Sequence, residues 1–111
     1  MQSIPTVEKQ PYEEFFMGAD FVDVLETDEE LSLGSSTVTA MLVSDSSDVT
    51  STLLQVATKV LDDSEDGNAN NVLKIRVRAG ATLTKYKVTF RAVTTQGNKW
   101  EKDIYLKVKE L

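Results

Sequence analysis

The chain has 111 residues, 41% of them hydrophobic, and a formal net charge of -6. It contains neither cysteine nor histidine, which excludes disulfides, thiolate nucleophiles, Ser-His and Cys-His catalytic pairs, and the usual ligands of zinc, copper and haem. This length suits one domain with one hydrophobic core. The composition therefore predicts a fold held by packing alone, with no catalytic residues, no cofactor and no metal.

The charge is unevenly distributed along the chain. Residues 1–73 hold 15 acidic and 2 basic residues, whereas residues 74–111 hold 3 acidic and 10 basic ones. Two interpretations are open: the halves neutralise each other on neighbouring strands, or they form opposed faces that direct docking to a partner. Nucleic-acid binding is not expected, because the acidic half would repel phosphate.

The N-terminal segment, residues 1–11, is bracketed by Pro5 and Pro11. Proline lacks the donor that a central strand needs, so this segment is predicted to be a flexible lead-in before a single domain over 12–111. An arm that orders on a neighbouring subunit is the alternative. The segment has no features of a signal peptide, and no apolar run in the chain approaches the roughly 20 residues of a membrane helix. Neither classical secretion nor membrane insertion is expected.

The next segments predict short strands. Residues 12–25, YEEFFMGADFVDVL, contain apolar stretches interrupted at Gly18, which predicts an edge strand that kinks and continues as a second short strand. In 37–42, TVTAML, residues alternate as in a half-buried strand. The polar run 44–51, SDSSDVTS, predicts a turn. Residues 52–61, TLLQVATKVL, fit both helical and strand spacing, and their threonines and valines favour a strand.

Alternation is clearest in the C-terminal part, which predicts three strands. Their inward residues are expected to be Leu73, Ile75, Val77, Tyr86, Val88, Phe90, Ala92, Ile104, Leu106 and Val108. The run TTQGN, 94–98, supplies a glycine-bearing turn of hairpin length, so the last two strands should pair antiparallel.

Together these segments predict an all-β fold, an immunoglobulin-like antiparallel β-sandwich of about seven strands. In such sandwiches a tyrosine near the start of the penultimate strand bonds back to the preceding corner. Tyr86, in RAGATLTKYKVTF, is the candidate for this structural tyrosine corner. The tryptophan expected on the third strand is missing, and the lack of a disulfide pair excludes antibody-type domains.

Two acidic runs are candidates for a calcium site or a pair of catalytic carboxylates. In 62–71, DDSEDGNANN, the first half fits the spacing of a calcium loop, but Leu73 stands where the bidentate glutamate belongs. A solvated loop is therefore favoured, with weak calcium binding as the open alternative. The run 26–30, ETDEE, precedes a strand and is expected to be an exposed turn, since nothing pairs its carboxylates across a cleft as a glycosidase requires.

Basic residues alternate on the outward side of the C-terminal strands. The simplest interpretation is a solvent-exposed face that also protects sheet edges. The alternative is a protein-binding face with an aromatic anchor. The candidates for that face are Lys85, Lys87, Arg91, Tyr105 and Lys107.

The order of these parts, from about residue 7 onward, can be compared with known families. An acidic and aromatic opening, YEEFFMGADFVDVLETDEEL, leads to SSTVTA, a loop with DVTS, an RAG corner, a tyrosine-led strand and a final LKVKEL. This order resembles a family of small bacteriophage structural proteins, the phage fibre-tail adaptor or head-tail module proteins.

The resemblance implies a non-enzymatic virion component, assembled in the cytoplasm of a bacterial host. It would dock on another virion subunit, such as a tail, fibre or head-tail component, and self-association is an open alternative. Neither nucleic acid nor membrane is implied as a partner. The competing hypothesis is a bacterial immunoglobulin-like module that binds carbohydrate or a cell surface, with Trp100 and Tyr105 as its aromatic candidates.

Overall fold

Strands account for most of the regular structure in the computed structural model, which describes residues 4–63 and 70–110. The seven strands found in these ranges are β1 Thr6–Lys9, β2 Phe15–Asp20, β3 Thr37–Leu42, β4 Leu54–Asp62, β5 Val72–Val77, β6 Thr84–Val93 and β7 Lys99–Val108. One helix of four residues, α1 (Thr50–Leu53), precedes β4. Two short 3₁₀ helices, Val22–Val24 and Leu33–Ser35, lie between β2 and β3.

The strands form two sheets that pack face to face. One sheet has the order β1-β7-β6-β3 and the other β2-β5-β4. With the strands lettered A to G in chain order, these sheets contain the C-F-G and B-E-D neighbours of immunoglobulin-type sandwiches. All neighbouring strands are antiparallel except β1 and β7, which are parallel. The predicted all-β sandwich of about seven strands is thus confirmed, with one parallel pair.

The core lies between the sheets and is built from alternate residues of each strand. All ten inward residues predicted for the last three strands are buried, and Val38 and Ala40 of β3 are buried with them. The predicted antiparallel pairing of the last two strands is also confirmed, with Thr84 opposite Val108 at one end and Val93 opposite Lys99 at the other.

Strand β1 corrects the predicted lead-in over residues 1–11. Its four residues pair with Tyr105–Val108 of β7, and the carbonyl of Pro5 accepts the Tyr105 N–H at 2.9 Å. The prolines lie just outside the strand and do not interrupt it. Because no residue within β1 lacks an N–H group, no hydrogen bond between β1 and β7 is lost there. Residues 6–9 therefore belong to the sandwich.

Lys9 anchors the end of β1 in the interior. Its side chain is buried, with 2% of the residue exposed, and its ammonium donates to the carbonyls of Gln10, Pro11 and Ala79 at 2.9, 3.1 and 2.5 Å. Burial lowers the pKa of Lys9, and the charges of Glu13 and Glu14 oppose that shift. The three ammonium donors all find acceptors, which offsets the cost of taking the charge out of water.

Gly18 does not kink β2, contrary to the sequence prediction. The register from Phe15 to Asp20 runs without a shift along β5, and the chain then enters a 3₁₀ helix instead of a second strand. The glycine is needed for close approach: a Cβ there would lie 2.7 Å from Lys74 Cγ and 3.0 Å from the Leu73 carbonyl oxygen. A strand glycine of this kind marks backbone contact.

Segment 52–61 is mainly strand, as predicted. The helix α1 includes Thr52 and Leu53, and β4 begins at Leu54. The pairing of β4 with β5 then shifts between Gln55 and Val60. The helical turn and this bulge explain why the apolar residues fit both helical and strand spacing.

The Gly18 approach can be tested with a matched pair of alanine substitutions. Gly18→Ala should lower the free energy of unfolding by about 1–3 kcal/mol, because the backbone carbonyl of Leu73 cannot move aside freely. Gly34→Ala, where a Cβ would meet nothing within 4 Å, should change it by less than about 0.5 kcal/mol. Urea denaturation measures both, and equal effects would contradict the assigned contact.

Candidate interaction surface

The outer face of the four-stranded sheet gathers the five predicted protein-binding residues. In an antiparallel pair, residues directly opposite each other share a face. Lys85 lies opposite Lys107, Lys87 opposite Tyr105, and Arg91 opposite Glu101. Their neighbours along each strand are buried, so these side chains point away from the core.

The five residues do not form one uniform surface. Arg91 is neutralised by Glu101, whose carboxylate lies 2.7 Å from its Nε. The other four cluster towards the start of β6 and the end of β7, and the ammonium of Lys85 lies 4.0 Å from the centre of the Tyr105 ring. We call Lys85, Lys87, Tyr105 and Lys107 the basic patch.

The basic patch contains an unfavourable juxtaposition of like charges. Lys85 and Lys107 stand directly opposite each other, an arrangement that destabilises a sheet. Glu8 on β1 lies beside Lys107, but its carboxylate is bonded to Lys109 at 2.6 Å. That hydrogen bond and the charge of Lys109 hold the pKa of Glu8 below its ordinary value. Glu8 is thus paired mainly with Lys109 and not with Lys107, and the patch retains a net positive charge.

Exposed apolar side chains adjoin the basic patch. Leu83, two residues before Lys85, is 87% exposed and has a φ of 61°, an uncommon conformation for a leucine. Val43 is also exposed, and its N–H donates to the Lys85 carbonyl at 3.1 Å. On β3, Met41 lies opposite Lys87. The sequence analysis did not identify these three residues. Leu83 could have been found, because an apolar residue inside a turn indicates an exposed hydrophobic side chain.

The loop after β3 closes much of that edge of the sheet. Leu42 N–H donates to the Ser47 carbonyl and Val49 N–H to the Ala40 carbonyl, both at 2.9 Å. Thr50 adds a hydroxyl that accepts from the Ala40 N–H at 3.0 Å. The turn predicted over 44–51 is thereby confirmed, although its last residues begin α1. The covered edge leaves the outer face as the accessible part of this region.

Ion pairs in the fold join the two charge halves of the sequence. Four of the five ion pairs in the described ranges join an acidic residue of 1–73 to a basic residue of 74–111. These pairs are Lys74–Asp62, Arg76–Glu14, Lys102–Asp23 and Lys109–Glu8. This favours the interpretation of charge balance within one domain, and it leaves the basic patch as a local exception.

Glu29 corrects the expectation that 26–30 is simply an exposed turn. The residue is fully buried, and its carboxylate accepts from the Thr94 hydroxyl, from Asn98 Nδ2 at 2.9 Å and from the Glu26 N–H at 2.9 Å. The hydrogen bond from Thr94, followed by that from the Glu26 backbone, lowers the pKa of Glu29, and burial opposes the shift. Nothing in the sequence distinguishes this glutamate from its neighbours.

Glu29 fastens the loop before β3 to the turn between β6 and β7, and this role predicts an acid-dependent stability. A carboxyl whose pKa is lowered on folding stabilises the fold above its unfolded pKa, and this contribution is lost as the pH falls through the folded pKa. The stability gap between wild type and Glu29→Gln should therefore narrow from about pH 7 to about pH 3. Urea denaturation across this range measures the gap.

The matched partner variant is Thr94→Val. Because both residues act through one hydrogen bond, the effects of Glu29→Gln and Thr94→Val should be less than additive in the double variant. Strict additivity, or a gap that stays constant with pH, would contradict the assigned role.

The acidic run 62–71 lies mostly outside the described residues, since 64–69 are not among them. Asp62 is bonded to Lys74 at 2.9 Å, which lowers the pKa of Asp62, and Leu73 is fully buried as predicted. Within residues 4–63 and 70–110, no group of three or more acidic side chains could hold a metal ion. Weak calcium binding by this loop remains an untested alternative.

Tyr86 occupies the predicted corner. Its hydroxyl accepts a hydrogen bond from the Ala81 N–H at 3.0 Å, the bond that a tyrosine corner requires. Gly80 makes the corner possible, because its φ is 98° and a Cβ would lie 2.9 Å from Val108. The corner is structural and sets the start of β6, where the basic patch begins.

Comparisons with protein-family models, curated proteins and solved structures found no match to the chain. The resemblance to phage structural proteins therefore stays a prediction. Among the described residues, no helix has the length and apolar character needed to cross a membrane.

Proposed function

We propose that this protein is a non-enzymatic structural protein of a bacteriophage virion, which docks on another virion subunit through the basic patch. The observation that carries the proposal is the convergence of Lys85, Lys87 and Lys107 around Tyr105 on an open sheet face. The sequence resemblance supplies the class of assembly, and the patch supplies the means of docking.

The chemistry of the basic patch suits an acidic protein surface. Tyrosine is enriched among residues that dominate binding energy, and the ammonium of Lys85 over the ring restricts Tyr105 before any partner arrives. The lysines would steer an acidic surface towards it and speed association at low salt. The exposed Leu83 and Val43 add apolar area at the margin.

The carbohydrate-binding alternative receives less support. Trp100 lies opposite the buried Ala92, whereas Tyr105 lies opposite the outward Lys87. Alternation along β7 therefore places the two aromatics on different sides of the sheet. A sugar-binding platform needs its aromatic side chains on one surface, and these two residues do not supply it.

Mass spectrometry of purified phage particles, with chemical crosslinking, tests the proposal. The chain should be present in the particles, and crosslinks from Lys85, Lys87 or Lys107 should lead to acidic residues of another subunit. Absence of the chain from particles would contradict the proposed function. Binding to glycans by protein that is absent from particles would favour the alternative.

A charge reversal tests the role of the patch in docking. Lys85→Glu should weaken binding to the crosslinked subunit by at least about tenfold, because it removes the cation over Tyr105 and repels an acidic partner. The fold should tolerate it, since the new glutamate would face Lys107. Lys99→Glu, the same charge change at an exposed residue at the far end of β7, is the control. Calorimetry measures both, and equal weakening would contradict docking through the patch.

A further inference from the structure

One side of β7 is only partly covered by β1. Strand β7 has 10 residues, and β1 pairs with Tyr105–Val108 alone. Across residues 4–63 and 70–110, no strand pairs with 99–104 on that side. We call residues 99–104 the open stretch of β7.

The backbone N–H and C=O groups of alternate residues in the open stretch point away from β6, towards this side. Tyr105 and Lys109 donate their N–H groups to the carbonyls of Pro5 and Lys9, each at 2.9 Å. Odd-numbered residues of β7 thus face β1, and alternation directs the N–H and C=O of Glu101 and Asp103 to the same side. Pro5 has no N–H to give the Asp103 carbonyl, so the β1 ladder lacks a hydrogen bond at that position.

A groove of about 470 Å³ separates the open stretch from the edge of β2. Its lining includes the apolar residues Ile4, Ala19 and Ile104 and the acidic residues Asp20, Glu101 and Asp103. The one basic residue in the lining, Lys102, is held by the Asp20 carbonyl at 2.6 Å and the Asp23 carboxylate at 2.8 Å.

The position of this groove is one that a strand normally fills. In immunoglobulin-type sandwiches the first strand lies beside the second strand in the A-B-E-D sheet. Here β2 is the outer strand of its sheet in the described ranges, and β1 joins the opposite sheet. Among residues 4–63 and 70–110, two neighbouring sheet edges are therefore without a paired strand along one side of the sandwich.

We infer that this groove binds an extended segment of another protein, which adds a strand to the open stretch of β7 and alternates apolar with basic residues. Strand addition supplies main-chain hydrogen bonds to Glu101 and Asp103, and alternate side chains supply specificity. Inward residues would meet Ile104 and Ala19, whereas outward residues would lie beside the two carboxylates. The inference deepens the proposed function, on which it rests for its partner, another virion subunit.

The two carboxylates are positioned for such a segment. Asp103 accepts the Thr89 hydroxyl at 2.7 Å on one oxygen, and Glu101 is held by Arg91 at 2.7 Å. Each contact orients a side chain without using the backbone groups of the edge. Because Glu101 is already paired with Arg91, it is the charge of Asp103 that would favour a lysine or arginine beside it on the added strand.

The probe is a capped peptide of about eight residues that alternates valine and lysine, titrated into ¹⁵N-labelled full-length protein. The amides of Glu101 and Asp103 should shift, and their hydrogen exchange should slow. Shifts confined to β2 or to the basic patch would overturn the inference. Slow hydrogen exchange of both amides before peptide is added would also overturn the inference. A second copy of the chain could protect them in a dimer, and the chain's own first residues could protect them in a monomer.

Variants separate the backbone and charge contributions. Asp103→Lys should weaken peptide binding by at least about tenfold, whereas Glu110→Lys, the same change at an exposed residue, should not. Glu101→Pro removes one N–H donor from the open edge. The hydrogen bonds between β7 and β6 are made by even-numbered residues and are kept. The variant should therefore still unfold cooperatively but no longer bind the peptide. If it fails to fold, the slowing of hydrogen exchange at the Glu101 amide of the wild type on peptide addition tests the backbone contribution instead. Equal binding by Asp103→Lys and wild type would overturn the inference.

Failure here is distinguishable from failure of the proposed function. A chain present in particles whose edge binds no peptide would leave the virion role standing and overturn strand addition. A chain absent from particles whose edge binds the peptide would support strand addition and remove its virion partner.

Discussion

The antiparallel ladder between β6 and β7 is the constraint on which the rest of the structure depends. It runs from Thr84 opposite Val108 to Val93 opposite Lys99 without a shift in register. A slip of one residue would turn every side chain of β7 to the other face. The same register therefore buries Phe90 and Leu106 and gathers the basic patch on the outside.

Two buried charges hold the connections at the two ends of β6. Lys9 bonds to the carbonyl of Ala79 before the strand, and Glu29 bonds to Thr94 and Asn98 after it. Both charges are fully hydrogen-bonded, as burial requires. They explain how loops with few apolar residues stay in place, and they tie the N-terminal part of the chain to the C-terminal hairpin.

The surface divides into regions with different chemistry. Four basic residues, Lys74, Arg76, Lys102 and Lys109, pair with carboxylates of the N-terminal half, whereas the lysines around Tyr105 form a patch of like charge. The groove beside β2 has a more acidic lining, which includes Asp20, Glu101 and Asp103. Strand β7 contributes Tyr105 to the basic patch and residues 101–104 to the lining of the groove, so a single strand takes part in both proposed contacts.

The sequence by itself determined the sandwich, the inward residues of the last three strands, the hairpin and the tyrosine of the corner. Alternation, turn residues and the RAG corner are local signals, and each is legible within about ten residues. It also identified Lys85, Lys87, Tyr105 and Lys107 as outward residues of adjoining strands. Their common face follows from a short hairpin whose register the turn sets.

Only the tertiary structure decided the features that join distant segments. The parallel pairing of β1 with β7, the continuous β2 through Gly18 and the burial of Glu29 depend on neighbours that lie tens of residues away. A glutamate in an acidic run carries no sign that Thr94 and Asn98 will bond to it, and two prolines give no sign that the strand between them will pair. These contacts join residues far apart in the sequence, and periodicity within one segment cannot predict them.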